Sequence, residues 1–261
     1  MRHLRLFLAF FRTSALGELA YRANFFFQIL QSAVELATAV AALSVVFAYT
    51  DALGGWRPDE VLALVGVFFL VGGAIRVVIE PSMEQLIESV HDGTLDFTLT
   101  QPEDAQFLAS IQRTDIWKLT DVGLGAAVLA LALVRLGAHV GVSQVIGFCG
   151  TLAAGGVIIY SFWLILATLA FWFVRVGNIL VVFQSMYEAG RWPVNIYPRW
   201  LRFGLTFIVP VAFATSVPAR ALAGGTTPAA LAGAGGVALA LLVLSRLFWR
   251  AGLRRYSGAS A

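Results

Sequence analysis

Glu80, Glu84, Glu88, Asp92 and Asp96 recur four residues apart, with Met83, Leu86, Ile87 and Val90 between them. On a helix, residues four apart share a face, so Ser82 to His91 is predicted to form an amphipathic helix with an acidic stripe beside an apolar one. Gly93 should stop it. Two uses fit that pattern: a solvated acidic face over an apolar face resting on the membrane or a bundle, or a docking helix for a soluble partner. A second polar set, Gln28, Gln31 and Glu35, lies in an otherwise apolar run at spacings of three and four, and so on one helix face. A carboxylate at mid-span costs ~2.5 to 3.5 kcal/mol on insertion scales, so this face must meet protein or water. It could line a translocation path, form a hydrogen-bond seam between helices, or hold a protonated Glu35 paired within the bundle.

Other chemistry is missing. No G-x-x-x-x-G-K-[ST] phosphate loop occurs, and the one lysine, Lys118, follows no cradling glycines. G-x-S-x-G, H-E-x-x-H and C-x-x-C are absent too. The single cysteine, Cys149, permits no internal disulfide, and His3, His91 and His139 are too scattered to suggest a metal site. The chain reads as a non-enzyme with no metal and no cofactor of its own.

The elements that must carry these residues are membrane helices. Of 261 residues, 59% are hydrophobic and only 13% charged, with mean hydropathy +0.82; a soluble domain carries about 25% charged residues. Spans of ~20 mostly apolar residues are predicted at Phe25 to Tyr49, Val61 to Ile79 (with Arg76 near enough to its end to snorkel), Ile116 to Val134, Val145 to Val174, Trp200 to Val217 and Ala229 to Trp249. The fold class is thus all-α and polytopic, with six transmembrane helices. Leu4, Leu8, Phe11, Ala15 and Leu19 recur at helical spacing, so the first ~20 residues are expected to form an uncleaved interfacial helix.

The pI of 9.3 does not mark a nucleic-acid binder, because the basic residues are scattered singly. They instead orient the chain: an inward N-terminus leaves Arg57, Arg135 and Arg220 outside and the other 15 of the 18 Lys and Arg inside. Both termini are then cytoplasmic. Glu80 to Asp115 becomes the main cytosolic segment. Arg175 to Arg199, whose apolar run is short and ended by Pro193 and Pro198, is expected to be an interfacial helix and turn on the same side. Pro218 to Pro228 becomes an outer link that is either a plain loop or a short dip into the membrane. Phe162, Trp163, Phe171, Trp172 and Phe173 read as lipid-facing or interface-anchoring.

Val90 to Pro102, VHDGTLDFTLTQP, resembles the cytosolic signature of bacterial type-two ABC exporter permeases, approximately I-R-x-G-x-L-D-x-x-L-x-x-P. Gly93, Leu95, Asp96, Leu99 and Pro102 match it. Tyr197 to Leu222 is similar through its Tyr-Pro pair, Pro210, Phe213 and Pro218, and Tyr21 to Gln28 gives a weaker match. His91 departs, since the family commonly has Arg there. The resemblance implies a membrane subunit that pairs with a second permease, identical or related. Each rests on a separate nucleotide-binding ATPase that carries ATP and Mg, and together they move a hydrophobic or amphipathic cargo out across the bacterial inner membrane. It also implies that Ser82 to Val90 is the coupling helix between spans two and three. Its ATPase contacts would be Met83, Glu84, Leu86, Ile87, Glu88, His91, Asp92, Gly93 and Asp96. Gln28, Gln31 and Glu35 are the candidate cargo path. An ion-coupled secondary transporter or channel using Glu35 is the alternative, although no internal repeat supports it.

Overall fold

Apolar runs and their breakers set the helices. A computed structural model describes residues 2–19, 22–137, 141–173, 177–224 and 227–256; Tyr21, His139, Arg175, Gly225 and Thr226 lie outside them. In chain order the helices are α1 (Arg2–Leu19), α2 (Arg22–Phe47), α3 (Pro58–Ala74), α4 (Glu80–His91), α5 (Leu95–Leu99), α6 (Ala105–Ala109), α7 (Leu119–Leu136), α8 (Val142–Thr168), α9 (Gly177–Glu188), α10 (Arg199–Phe203), α11 (Val211–Ala214), α12 (Ser216–Gly224) and α13 (Pro228–Leu253). Apart from an isolated bridge between Leu53 and Trp56, all regular structure among the described residues is helical.

Among the described residues, five stretches are long and apolar enough to cross a membrane: Phe25–Phe47, Pro58–His91, Ile116–Leu136, Val142–Phe171 and Pro228–Leu253. The second is the centre of the bundle, 72% buried against 17% for the first and the last. It packs antiparallel to α7 at very short range. The Gly125 backbone lies against Leu70 and the carbonyl of Gly66, and a Cβ added at Gly66 would sit 2.7 Å from the Leu129 amide. Small residues allow such approach where lipid offers no hydrophobic driving force between helices.

Glu80–His91 is not a separate helix laid across the bundle. A π-helical turn, Ile75–Ile79, joins α3 to α4 without a break, giving one helix of 34 residues. It ends where Gly93 takes φ +72°, as the sequence predicts. Because α4 continues α3, its apolar stripe continues the core face. Met83 and Leu86 are fully buried and Ile87 nearly so. Met83 and Leu86 are therefore core positions and not surface contacts, which corrects their expected role, while Ile87 lines the groove beside Glu84 and Glu88. Glu84, Glu88, His91 and Asp92 are exposed, and Gly93 and Asp96 half-buried.

The two ends of the bundle decide which segments cross it. Asn195 Nδ2 donates to the carbonyl of Gly54 at 3.0 Å, in the link between α2 and α3. The Arg220 guanidinium lies 5.0 Å above the ring of Trp56 in the same link. Earlier in the chain, Leu180 and Val181 of α9 face Glu84 and Glu88 across a groove, and the Tyr187 hydroxyl donates to the Phe68 carbonyl at 3.0 Å. From Gly177 to Asn195 the chain therefore runs the length of the bundle, from beside α4 to the α2–α3 link. Within the described part of 175–199, residues 177–195 run along the bundle and are not an interfacial helix and turn.

Segment 200–217 is correspondingly not a crossing. Arg199–Ile208 and Val211–Leu222 meet at 69°, where Pro210 has no amide hydrogen with which to continue a helix. At its deepest the pair reaches the middle of α8, with Phe213 and Ala214 against Gly155. Its ends, at Asn195 and Arg220, both lie by the α2–α3 link, so it enters and leaves at one end. Five long helices and α9 still make six crossings, and α1 and the end of α13 share the α4 end. Arg199 and Arg202 leave that end of the basic count, which falls from 15 but stays above the link end. Trp163, expected to face lipid, is fully buried and packs edge-on against Phe183 of α9 at 5.0 Å; Trp172 and Phe173 are exposed.

Candidate functional site

Arg76 sits in the π-helical turn between α3 and α4, a local widening of the helix that often marks functional positions. Its guanidinium reaches Asp121 of α7 at 3.2 Å, Glu188 of α9 at 3.4 Å and Glu35 of α2 at 3.5 Å. Gln184, with its amide oxygen turned toward the guanidinium, accepts from Nη2 and Nε at 3.3 Å. Asp121 is 2% exposed and also accepts from the Ser32 hydroxyl. Arg191 closes the set by donating to Glu188 at 2.6 Å. Three carboxylates and two guanidinium groups from four helices thus meet where the membrane helix becomes α4. Charges in such a place persist because they are paired.

Gln28, Gln31 and Glu35 do share one face, which meets other helices at Gln28 and Glu35 while Gln31 is exposed. Lys118 Nζ donates to Gln28 Oε1 at 2.7 Å, and Gln31 Nε2 donates to Glu35 Oε1 at 3.0 Å. Arg76, Asp121 and Glu188 were not recognised as partners of this face from sequence. Arg76 reads as a snorkelling end charge, Asp121 lies in the first turns of the span expected at Ile116 to Val134, and Glu188 lies in a segment expected at the interface. The available signal was that charges stranded in separate apolar runs seek one another.

A cavity of about 390 Å³ adjoins the hub, bounded by α2, the α3–α4 helix and the residues leading into α7. Beyond it, the segment after α4 is strapped to the bundle. Asp104 caps α6, accepting from the Phe107 amide at 3.1 Å, and forms a two-pronged ion pair with Arg246 of α13. Arg246 also donates to Gln106 Oε1 at 2.8 Å, and Ser110 and the Tyr160 hydroxyl of α8 are 2.8 Å apart. Hydrogen bonding from Arg246, ahead of that from the Phe107 amide, holds the Asp104 carboxyl below the ordinary carboxylate range. At the tip, Phe97 is 74% exposed. These bonds tie α6 to α8 and α13.

A family model described as ABC-2 family transporter protein matches residues 33–260. The chain belongs to this family. No curated protein and no solved structure matches it. The matched stretch takes in Glu35, Arg76, Asp121 and Glu188 together with all of α4 to α6, whereas α1, Gln28 and Gln31 precede it. As an ABC-2 permease the chain is the membrane component of a transporter whose family associates with ATPase subunits, and the missing phosphate loop fits that division of work.

Proposed function

We propose that this chain is the membrane subunit of an ATP-driven exporter, paired with a second permease and with separate ATPase subunits at the α4 end. It moves a hydrophobic or amphipathic cargo outward. The observation that carries this reading is the unbroken 34-residue helix Pro58–His91, which makes α4 a rigid extension of the central span. Displacement of its exposed end, Glu84, Glu88, His91 and Asp92, reaches the Arg76 hub through hydrogen-bonded backbone. Gly93 and Asp96 shape the exit, and Phe97 offers an apolar anchor at the tip. ATP and Mg belong to the partner.

The excess of basic residues at the α4 end supports placing that end, and both termini, in the cytoplasm of a bacterial inner membrane. Gln28, Gln31 and Glu35 then lie on the inner side of the cargo path. Ion coupling through Glu35 gains no support, because its carboxylate is already engaged by Arg76 and Gln31.

The test is affinity purification from membranes. Glu84→Lys with Glu88→Lys sets like charge against a basic docking surface, where such contacts cost several kcal/mol. Phosphate-loop ATPase recovered with the chain should fall while membrane insertion stays normal; unchanged recovery refutes docking at α4.

A further inference from the structure

The cavity beside Arg76 holds more charge than the hub neutralises. Glu80, Glu84 and Asp115 line it together with Arg113 and Lys118. Among the described residues none of these three acids forms an ion pair, nor does Arg113. The Lys118 ammonium donates to the neutral amide of Gln28 and forms no ion pair among the described residues, meeting Glu80 only at longer range. An anion entering alone meets three carboxylates, and a cation entering alone meets Arg113 and Lys118. A ligand that carries both signs satisfies both sets.

The edge of the cavity adds a second requirement. Gln31 lines the cavity and is itself exposed on α2, with Phe27 and Val34 on the same face at helical spacing. Those two apolar side chains are 71% and 56% exposed. A molecule seated with its head in the cavity would thus leave past Gln31 onto an apolar stripe.

We propose that this cavity binds the dipolar headgroup of an amphiphile, one bearing an ammonium-type cation and a phosphate- or carboxylate-type anion, with its tail along Phe27 and Val34. Glu80, Glu84 and Asp115 receive the cation. Arg113 and Lys118 receive the anion. This deepens the cargo reading given above and depends on it for its meaning in transport, though not for binding itself.

The experiment uses the full chain in a nonionic maltoside. It is titrated below micellar concentrations with dodecylphosphocholine, dodecyltrimethylammonium, dodecyl phosphate and tail-free phosphocholine, and binding is followed by thermophoresis. Dodecylphosphocholine should saturate a site at least about tenfold more tightly than either singly charged amphiphile, as expected when charge attraction at the quaternary ammonium adds to charge-assisted hydrogen bonds at the phosphate. Phosphocholine should bind more weakly than its tailed counterpart. Arg113→Gln with Lys118→Gln should shift preference toward the cationic probe, and Glu84→Gln with Asp115→Asn toward the anionic one. Such opposite shifts cannot come from misfolding, which weakens all probes together. Equal affinity for the three tailed probes, or variants that leave the preference unchanged, overturns the dipolar site. Phosphocholine binding as tightly as dodecylphosphocholine overturns the amphiphile. Because these readouts need no ATPase, failure to recover an ATPase would refute the proposed function and leave this result standing.

Discussion

Asn195 and Gly54, 141 residues apart, are joined by a hydrogen bond of 3.0 Å from the asparagine amide to the glycine carbonyl. The bond brings the chain after α9 to the link between α2 and α3, at the far end of the bundle from His91. The consequence is that α9 crosses and the α10–α12 pair returns to the end from which it entered. With Cys149→Ser as background, cysteines placed at Gly54 and Arg199 should react with a membrane-impermeant reagent from one side, and cysteines at Asp104 from the other. Arg199 labelling together with Asp104 would restore the span at 200–217 and overturn the re-entrant arrangement.

Much of this was legible in the sequence, because burial in lipid enforces long apolar runs. Four of the five long helices, the end of α4 at Gly93 and the shared face of Gln28, Gln31 and Glu35 follow from spacing, whereas the fusion of α3 and α4 into one helix does not. What spacing could not reveal is a crossing completed by irregular backbone. α9 has only 12 helical residues, and the rest of the passage uses a 3-10 turn and the extended residues around Pro193. Irregular backbone is tolerated at membrane depth where it packs on protein, and here Gly190, Pro193 and Val194 are buried. Conversely, Trp200 to Val217 is apolar enough to span, but Pro210 bends it back. The partners of Arg76 were hidden for another reason: they lie 41, 45 and 112 residues away, and ion pairs carry no periodic signature.

The α3–α7 seam supplies a packing test. The Gly125 backbone is pressed against Leu70 and Gly66, so any side chain there must drive two helices apart. Overpacking costs typically ~1 to 3 kcal/mol. Gly125→Leu should lower the thermal midpoint of the detergent-solubilised chain markedly. Gly123→Leu, where an added Cβ meets nothing within 4 Å, should leave it nearly unchanged. Equal effects at the two sites would mean that the helices do not approach at Gly125.

The strap between α6 and α13 predicts a pH dependence with a defined sign. Arg246 holds the Asp104 carboxyl below its ordinary value, so the contribution is present above the unfolded pKa of about 3.9 and is lost as pH falls through the lower folded value. Both side chains are partly exposed, which limits the ion pair to at most about 1 kcal/mol. Asp104→Asn retains the helix cap, since asparagine caps as well as aspartate, but removes the charge. Melting curves of parent and variant should therefore differ above about pH 4 and converge below it. The absence of a gap at every pH would show that the cap, which asparagine keeps, and not the ion pair with Arg246, is what Asp104 contributes.

The Arg76 hub makes the sharpest energetic claim. Replacing Arg76 by leucine leaves Glu35, Asp121 and Glu188 without the guanidinium they share, and Asp121 is almost wholly buried. Removing one partner of a buried pair costs ~3 to 5 kcal/mol, because the abandoned charge stays desolvated. Arg76→Leu should therefore be among the most damaging single changes in the chain. If abandonment is the cause, removing the stranded charge must restore stability: Arg76→Leu with Asp121→Asn should recover much of the loss, while Asp121→Asn alone, which keeps the bond to Ser32 in altered form, should cost less than Arg76→Leu. Glu35 is 30% exposed, so Glu35→Gln should cost little stability and should couple only weakly to Arg76→Leu. The measurement is a double-mutant cycle on thermal or denaturant midpoints in one detergent, with a coupling energy between Arg76 and Asp121 of at least ~1 kcal/mol expected for residues in one buried network. Additive effects of the two substitutions would show that Arg76 acts through packing of its stem and not through the charge at the junction of the four helices.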